Sequence, residues 1–131
     1  MRPRSKKRAR SDRAARPTLA SFAREFTACW ACGRTHFLEI HHSCGRSHPR
    51  RNDRRLLGRY CCYCHETRWT NPTDGLSPLD RLAQQLAYKA VYDREFYDRS
   101  FVLKAKGYAE TAISEADVGF LVQLVKQGSD G

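Results

Sequence analysis

Long apolar runs are absent from this 131-residue sequence, which excludes a membrane-spanning helix of roughly 18–20 residues. The basic N-terminus also lacks the apolar stretch of a secretory signal, so we expect a soluble protein that is not exported. Acidic residues are scarce, with 14 Asp and Glu against 24 Lys and Arg and a formal net charge of +10. This balance excludes an acidic disordered segment and favours an anionic partner.

The positive charge is concentrated in the first half of the chain. Residues 1–17 carry eight basic side chains and one acid, residues 18–68 nine against four, and residues 69–131 seven against nine. The first of these segments has almost no apolar side chain, so we expect a disordered basic arm that binds phosphate backbones through counterion release. A solubilising tail, or a nuclear-import-like run at residues 6–8, is the alternative.

Helices are expected on both sides of a centre that is rich in Cys and His. Apolar spacing in residues 18–28 predicts a short leading helix. Ser77 begins a capping box, and the apolar periodicity after it predicts a helix that ends near residues 93–96. Ser114 begins a second capping box before another helix, and a shorter element is expected around residues 101–103.

Four of the six cysteines form two pairs with Cys-x2-Cys spacing. A two-residue gap lets both sulfurs of a pair bind one ion, so the two pairs together predict a tetrahedral structural zinc site. The expected ligands are Cys29, Cys32, Cys61 and Cys64. The separation of the pairs exceeds that of a compact zinc ribbon, so we expect further structure between them.

Other interpretations of the cysteines remain open. Buried free thiols would explain their number but not the paired spacing. Cys62 could replace Cys61 as a ligand, although a Cys-x-Cys pair fits one tetrahedral ion less well. Cys44 stands alone between histidines, so we expect it to be a spare thiol or a packing residue.

A pair of adjacent histidines follows a strand-like stretch over residues 35–40. Adjacent side chains of a strand point to opposite faces, so His41 and His42 are expected to have different roles, one as a metal ligand. His65 directly follows the second Cys pair, at the point where we expect a helix to begin.

The order of these residues resembles the HNH endonucleases, in particular the small zinc-containing HNH-like proteins of bacteriophages and prophages. The likeness covers residues 29–65, with Cys-x2-Cys, Glu-Ile-His-His, a basic loop, Leu-Leu and Cys-x2-Cys-His in turn, and extends loosely over residues 86–98. It implies a small α+β fold in which a zinc ion bound by four cysteines staples a ββα-metal finger. The arm would cover residues 1–17, the finger 18–69 and the helical C-terminal extension 70–131.

The resemblance also implies roles for the three histidines. His41 and His65 stand at positions of metal ligands, which would hold a catalytic Mg²⁺, Mn²⁺ or transition-metal ion. His42 stands at the position of the general base that activates water. Imidazole suits this step because its pKa lies near neutrality, and the metal ion stabilises the charge that develops on the phosphate.

The chain departs from the family pattern between the His pair and the second Cys pair. The middle Asn of the family, which helps to position the base, is replaced by Leu56, while Asn52 and Asp53 lie nearby but out of register. His48 is a further candidate ligand, and Trp69 stands where some members have another His. A DNA-binding protein of the same fold without catalysis is therefore an alternative to a nuclease.

Arginines fill the stretch between the His pair and the second Cys pair, with a single acid among them. Guanidinium groups chelate phosphate oxygens, so we expect this loop to clamp a nucleic-acid backbone. The expected contacts are Arg46, Arg50, Arg51, Arg54, Arg55 and Arg59. An ordinary solvated loop is the alternative.

These patterns together predict a metal-dependent DNA endonuclease of low sequence specificity, with a structural zinc and a catalytic divalent ion as its cofactors. The alternatives are a non-catalytic zinc-containing DNA-binding or adaptor protein and a transcription regulator that prefers one duplex sequence. We expect DNA as the partner, no membrane, and a place in the bacterial cytoplasm with the nucleoid. The resemblance favours a phage terminase or recombination setting, and the oligomeric state stays open.

Overall fold

The computed structural model of the chain describes residues 6–45 and 48–129. Within these residues it has five helices and one antiparallel pair of strands, which confirms a small α+β protein. In chain order they are α1 (Lys6–Glu25), β1 (Leu38–His42), β2 (Leu57–Cys61), α2 (Cys62–Cys64, continued by a π-helical segment, His65–Thr70), α3 (Pro78–Tyr92), α4 (Arg99–Ala105) and α5 (Glu115–Ser129).

The N-terminal segment differs from the predicted disordered arm, because its described part is helical. Helix α1 begins at Lys6 and includes both the basic segment and the leading helix predicted after it. Lys, Arg and Ala are strong helix formers, which explains why the segment can be helical. Tertiary contacts then hold it: Asp12 pairs with Arg51 at 2.7 Å, and Phe22 is fully buried. Residues 1–5 of the predicted arm lie outside the described residues.

Strands β1 and β2 form a two-stranded antiparallel sheet, followed directly by α2. Leu38 pairs with Cys61, and His41 pairs with Gly58. A Cβ atom added at Gly58 would lie 2.6 Å from the Tyr60 ring, so the glycine makes room for that buried side chain. The His pair belongs to β1 itself, whereas the sequence predicted that the strand would end before it.

Two apolar clusters hold the elements together. The C-terminal core joins α3, α4 and α5 to Leu56, which is fully buried. The Cys-turn core packs α1, through Phe22, against β2 and against the turns that carry the Cys pairs, around Trp30 and Tyr60. The segment from Leu56 to Tyr60 thus contributes to both clusters and connects the helical half with the Cys-rich half.

A buried network of charges joins α3 to β2. The Lys89 Nζ donates hydrogen bonds to Asp93 Oδ2 at 2.7 Å and to the Leu57 carbonyl at 2.9 Å. Arg54 also donates to Asp93, at 3.0 Å. Each of these charges has a partner, which burial of a charge requires.

The serine N-caps of the two predicted capping boxes are confirmed. The Asp80 N–H donates to the Ser77 hydroxyl at 3.1 Å at the start of α3. The Asp117 N–H donates in the same way to Ser114 at the start of α5, also at 3.1 Å. Across residues 6–45 and 48–129, no helix combines the length and the apolar character that crossing a membrane would need.

Candidate metal centre and histidine site

The structure brings the four predicted zinc ligands together. The Sγ atoms of this four-cysteine cluster, from Cys29, Cys32, Cys61 and Cys64, all lie within 4.8 Å of one another. Cys32 Sγ and Cys61 Sγ are 3.7 Å apart. A tetrahedral ion with Zn–S bonds of about 2.3 Å needs sulfurs about 3.8 Å apart. The cluster could therefore hold a metal ion such as zinc.

Backbone hydrogen bonds shape both Cys turns. In the first turn, the Gly33 N–H donates to the Cys29 carbonyl at 2.9 Å. Gly33 has a φ of 80°, a left-handed conformation that glycine adopts readily. In the second turn, the Cys64 N–H donates to Cys61 Sγ at 3.4 Å. The Trp30 N–H donates to a carbonyl of β2 at 2.9 Å, which holds the first turn against the second.

The thiols of the cluster differ in pKa. Burial alone would raise the pKa of Cys61, but hydrogen bonds from the Cys64 N–H and from neighbouring thiols lower it to about 7. Burial, together with the hydrogen bond to Cys61, raises the pKa of Cys64 to about 12. Removing all the thiol protons would gather several negative charges in one place, so a bound cation would stabilise the deprotonated cluster.

The other two cysteines lie outside the cluster. Cys62 is exposed, so Cys61 is the cluster member of the second pair, as the spacing predicted. Cys44 is half-buried and packs against the C-terminal core, which agrees with the packing role expected for it.

His41 and His65 lie side by side, with ring centroids 5.1 Å apart. His41 extends from β1, and His65 is the first residue of the π-helical segment after α2, so the sheet and the helix bring them together. His65 Nδ1 is 2.8 Å from Glu39 Oε1. A histidine held by a carboxylate through one nitrogen can bind a metal through the other, which here is Nε2.

Aromatic rings enclose much of His41. The imidazole stacks on Trp69 and meets Tyr60 edge-on, with ring centroids 5.9 Å away in both cases. Burial, with a smaller effect of His65, lowers the pKa of His41 to about 3, so the ring is neutral at pH 7. Its Nε2 is buried without a hydrogen bond of good geometry among the described residues, and the neighbouring Gln85 side chain opposes the lowering of the pKa. A neutral imidazole with such a nitrogen is suited to bind a cation.

His42 lies in a different environment from His41 and contacts the loop before β2. His42 Nε2 lies 3.1 Å from Asn52 Oδ1. Because an amide oxygen only accepts, neutral His42 carries its proton on Nε2 and its lone pair on Nδ1. Asn52 therefore contacts the candidate base, while Leu56, in the register position of the family's Asn, is fully buried in the C-terminal core.

The structure does not agree with a phosphate clamp made by all six predicted arginines, because four of them have partners within the protein. The contacts are Arg51 with Asp12, Arg54 with Asp93 and Glu25, Arg55 with Asp53 and Asp98, and Arg59 with the Phe26 carbonyl. A guanidinium that is bound to a carboxylate is less available to a phosphate, which applies to Arg51, Arg54 and Arg55, whereas Arg59 of β2 donates to a backbone carbonyl. Arg50 is exposed. Arg46 lies outside the described residues.

Outside the four-cysteine cluster, the predicted ligands that lie close together are the two histidines His41 and His65. His48 Nδ1 accepts a hydrogen bond from the Arg50 N–H at 3.0 Å, in the loop before β2. Among the residues described, the four-cysteine cluster is the only group of three or more His, Cys, Asp or Glu side chains arranged to hold one ion. His41 and His65 could therefore supply two ligands, with Glu39 as the carboxylate behind His65.

Sequence reasoning missed two side chains of the histidine site. Glu39 and His41 share a face of β1 because alternate strand residues do, so the Glu-Ile-His-His motif held a signal for Glu39. Gln85 comes from α3, and no local pattern links that helix to β1. Gln85 Oε1 and His41 Nε2 both lie buried without a hydrogen bond of good geometry in the described chain, and both residues line one small cavity of about 10 Å³.

Comparison with known proteins adds no relative. No family model matches the chain, and searches of curated proteins and of solved structures found no match. The resemblance to HNH endonucleases therefore depends on the sequence motif of residues 29–65 alone.

Proposed function

We propose that the protein is a metal-dependent endonuclease of the HNH type, which hydrolyses DNA phosphodiester bonds with little sequence preference. The observation that supports this best is the pairing of His41 with His65 where β1 lies beside the start of the second helix, with His42 next to His41 in the strand. His41 and His65 have ring centroids 5.1 Å apart, and His42 is held by Asn52. The order of two antiparallel strands and a helix is also the order of a ββα-metal finger.

His41 and His65 would supply two of the ligands of a catalytic divalent ion. His41 is neutral at pH 7 and has a buried Nε2 without a hydrogen bond of good geometry among the described residues. His65 is held by Glu39 through Nδ1, which keeps its Nε2 for a ligand bond. When bound, the ion would stabilise the negative charge that develops on the phosphate oxygens.

His42 would act as the general base. The contact between Nε2 and Asn52 holds the ring and selects the tautomer with its lone pair on Nδ1. Nδ1 would then accept a proton from the attacking water. Proton transfer needs the two heavy atoms within about 2.6–3.2 Å, so the orientation of this ring matters for the rate.

The four-cysteine cluster would support the histidine site through the chain that joins them. Cys61 ends β2, Cys64 ends α2, and His65 follows at once. An ion bound by both sulfurs would hold the end of the strand and the start of the helix in one arrangement. The direction of the His65 side chain would then depend on the structural metal.

A plasmid-nicking assay with His42→Ala tests the proposal. We expect nicking in Mg²⁺ or Mn²⁺ by the wild-type protein, none in EDTA, and a loss of about 10²–10⁴-fold in the variant. His36 is exposed on the segment before β1, so His36→Ala is the matched control and should nick normally. Zinc content should be the same in all three proteins. An unchanged nicking rate in His42→Ala, or no nicking by the wild type with any divalent metal, would refute the proposal.

A second function is favoured by one observation. The histidine pair offers two ligands, whereas the four-cysteine cluster is complete. A non-catalytic, zinc-containing DNA-binding or adaptor protein needs only that cluster. Salt-sensitive DNA binding by the wild type, without nicking in any divalent metal, would support this alternative.

A further inference from the structure

Helix α1 carries six exposed cations in its described part, Lys6, Lys7, Arg10, Arg13, Arg16 and Arg24, and four of them share one face. We call these four, Lys6, Arg10, Arg13 and Arg24, the cationic stripe. All four side chains are exposed. At 3.6 residues per turn, Lys6, Arg10 and Arg13 fall within a sector of about 60°, and Arg24 follows beyond Pro17, which lies inside the helix.

The opposite face of α1 is buried, which orients the stripe. Phe22 is fully buried in the Cys-turn core, and Leu19 packs against the same cluster. Phe22 lies about 160° around the helix from Lys6 and Arg24, so the stripe faces away from the protein. The packing of one face therefore determines which face meets a partner.

The acidic residues of α1 do not neutralise the stripe. Asp12 pairs with Arg51 at 2.7 Å, and Glu25 pairs with Arg54 at 2.7 Å. Both carboxylates thus bind arginines of the loop between β1 and β2, which we call the arginine loop. Within residues 6–45 and 48–129, none of the four stripe cations forms an ion pair.

An open cleft lies between α1 and the loop residues around Asn52. It has a volume of about 670 Å³ and is lined by Pro17, Thr18, Ser21, Asn52, Asp53, Arg54, Arg55 and Phe96. Asn52, one of the lining residues, contacts His42. Hydroxyl and amide groups such as those of Thr18, Ser21 and Asn52 commonly bind phosphate and sugar oxygens.

We propose that the cationic stripe binds the phosphate backbone of duplex DNA, and that the cleft leads the bound strand towards His42. The stripe is linear, as is the charge of a duplex, which carries about one negative charge per 1.7 Å of axis. This proposal rests on the proposed function, because the stripe would be the surface that holds the DNA substrate of the endonuclease.

The surface of α1 favours nucleic acid over an anionic membrane. A helix that lies on a membrane inserts large apolar side chains between the lipids. The exposed large apolar side chains of the described chain, Phe37, Tyr63, Leu76, Tyr92, Phe120 and Leu124, all lie outside α1. The stripe therefore offers charge without an apolar anchor.

Two triple variants with the same loss of charge test the stripe. The stripe variant is Arg10→Ala, Arg13→Ala and Arg24→Ala. The control variant is Arg94→Ala, Lys104→Ala and Lys126→Ala, which removes exposed cations of the helical half. Alanine keeps the helix propensity of α1, so circular dichroism and zinc content should not change in either.

Binding of a 20-base-pair duplex is measured by fluorescence anisotropy at several salt concentrations. We expect the slope of log Kd against log salt to fall by about 2.7 in the stripe variant, at about 0.9 per phosphate contact, and by much less in the control. Affinity at low salt should fall at least about tenfold in the stripe variant alone. An equal loss in both variants would overturn the proposal, since net charge alone would then explain binding.

Two further measurements separate the alternatives. Tighter binding of the wild type to polyglutamate or to phosphatidylglycerol vesicles than to the duplex would overturn the assignment to DNA. The nicking rate is measured separately, at a DNA concentration that saturates binding. Wild-type protein that binds through the stripe but never nicks would support the stripe and refute the endonuclease, whereas normal nicking and binding by the stripe variant would refute the stripe alone.

Discussion

Asn52 Oδ1 lies 3.1 Å from Nε2 of His42, and this contact connects the arginine loop with strand β1. Asn52 stands just before a short 3₁₀ turn that Asp53 caps by accepting the Arg55 N–H at 3.0 Å. The capped turn therefore positions the amide. An asparagine four residues before Leu56 thus contacts the histidine that the family's Asn would position.

Asn52→Ala should slow nicking about tenfold through the loss of this contact, because His42 would no longer be held in one tautomer and orientation. The pH profile of the nicking rate should also change, which a purely structural role would not explain. Asn71→Ala is the control, since Asn71 contacts Glu66 on the exposed side of the π-helical segment. An unchanged rate and pH profile in Asn52→Ala would remove Asn52 from the site.

Cys64→Ser should abolish stoichiometric zinc binding and lower the melting temperature, because a cluster with three sulfurs binds zinc less tightly and the Cys-turn core depends on both turns. Cys62→Ser removes an exposed thiol two residues away and should keep both zinc and stability. Metal analysis by mass spectrometry and thermal unfolding with and without a chelator check both variants. Zinc loss in Cys62→Ser would contradict the assignment of the ligands.

Zinc affinity should rise with pH, because the thiols lose protons when the metal binds. The pKa of Cys61 is about 7, whereas burial raises the pKa values of Cys32 and Cys64. Zinc binding therefore releases one proton fewer above pH 7, where Cys61 is already deprotonated, than below it. Competition with a chromophoric chelator from pH 6 to 8.5 should show that the slope of log affinity against pH falls by about one unit. A constant slope over this range would contradict a low pKa for Cys61.

Glu39→Gln should weaken the second divalent site about 10–100-fold, since a neutral amide supports His65 less well than a carboxylate. Nicking measured against Mn²⁺ concentration should need more metal in the variant and recover at high Mn²⁺. Glu66→Gln, on the same helical segment as His65, is the matched control. If both variants respond to Mn²⁺ as the wild type does, the contact between Glu39 and His65 has no part in metal binding.

Asp93→Ala should destabilise the fold by about 3–5 kcal/mol, because it leaves the Lys89 ammonium buried without its carboxylate. Burial already lowers the pKa of Lys89 to about 8, which indicates how poorly this position tolerates an unpaired charge. The free energy of unfolding in urea measures the effect. Glu95→Ala removes an exposed acid nearby and should change it by less than about 0.5 kcal/mol.

Spacing along the chain was enough to predict the features that form within a few residues. The Cys-x2-Cys pairs identified all four members of the cluster and favoured Cys61 over Cys62. The capping boxes located the starts of two helices. Each of these features joins neighbours in the sequence, so a short pattern contains both partners.

Only the tertiary structure decided which distant partner each polar side chain takes. The sequence predicted a disordered arm and an arginine clamp, yet Arg51 and Arg54 bind Asp12 and Glu25 of a helix that begins at Lys6. The physical reason is that an ion pair or a hydrogen bond depends on distances of a few Å between segments far apart in sequence. Packing of the two apolar clusters sets those distances, and no local spacing encodes them.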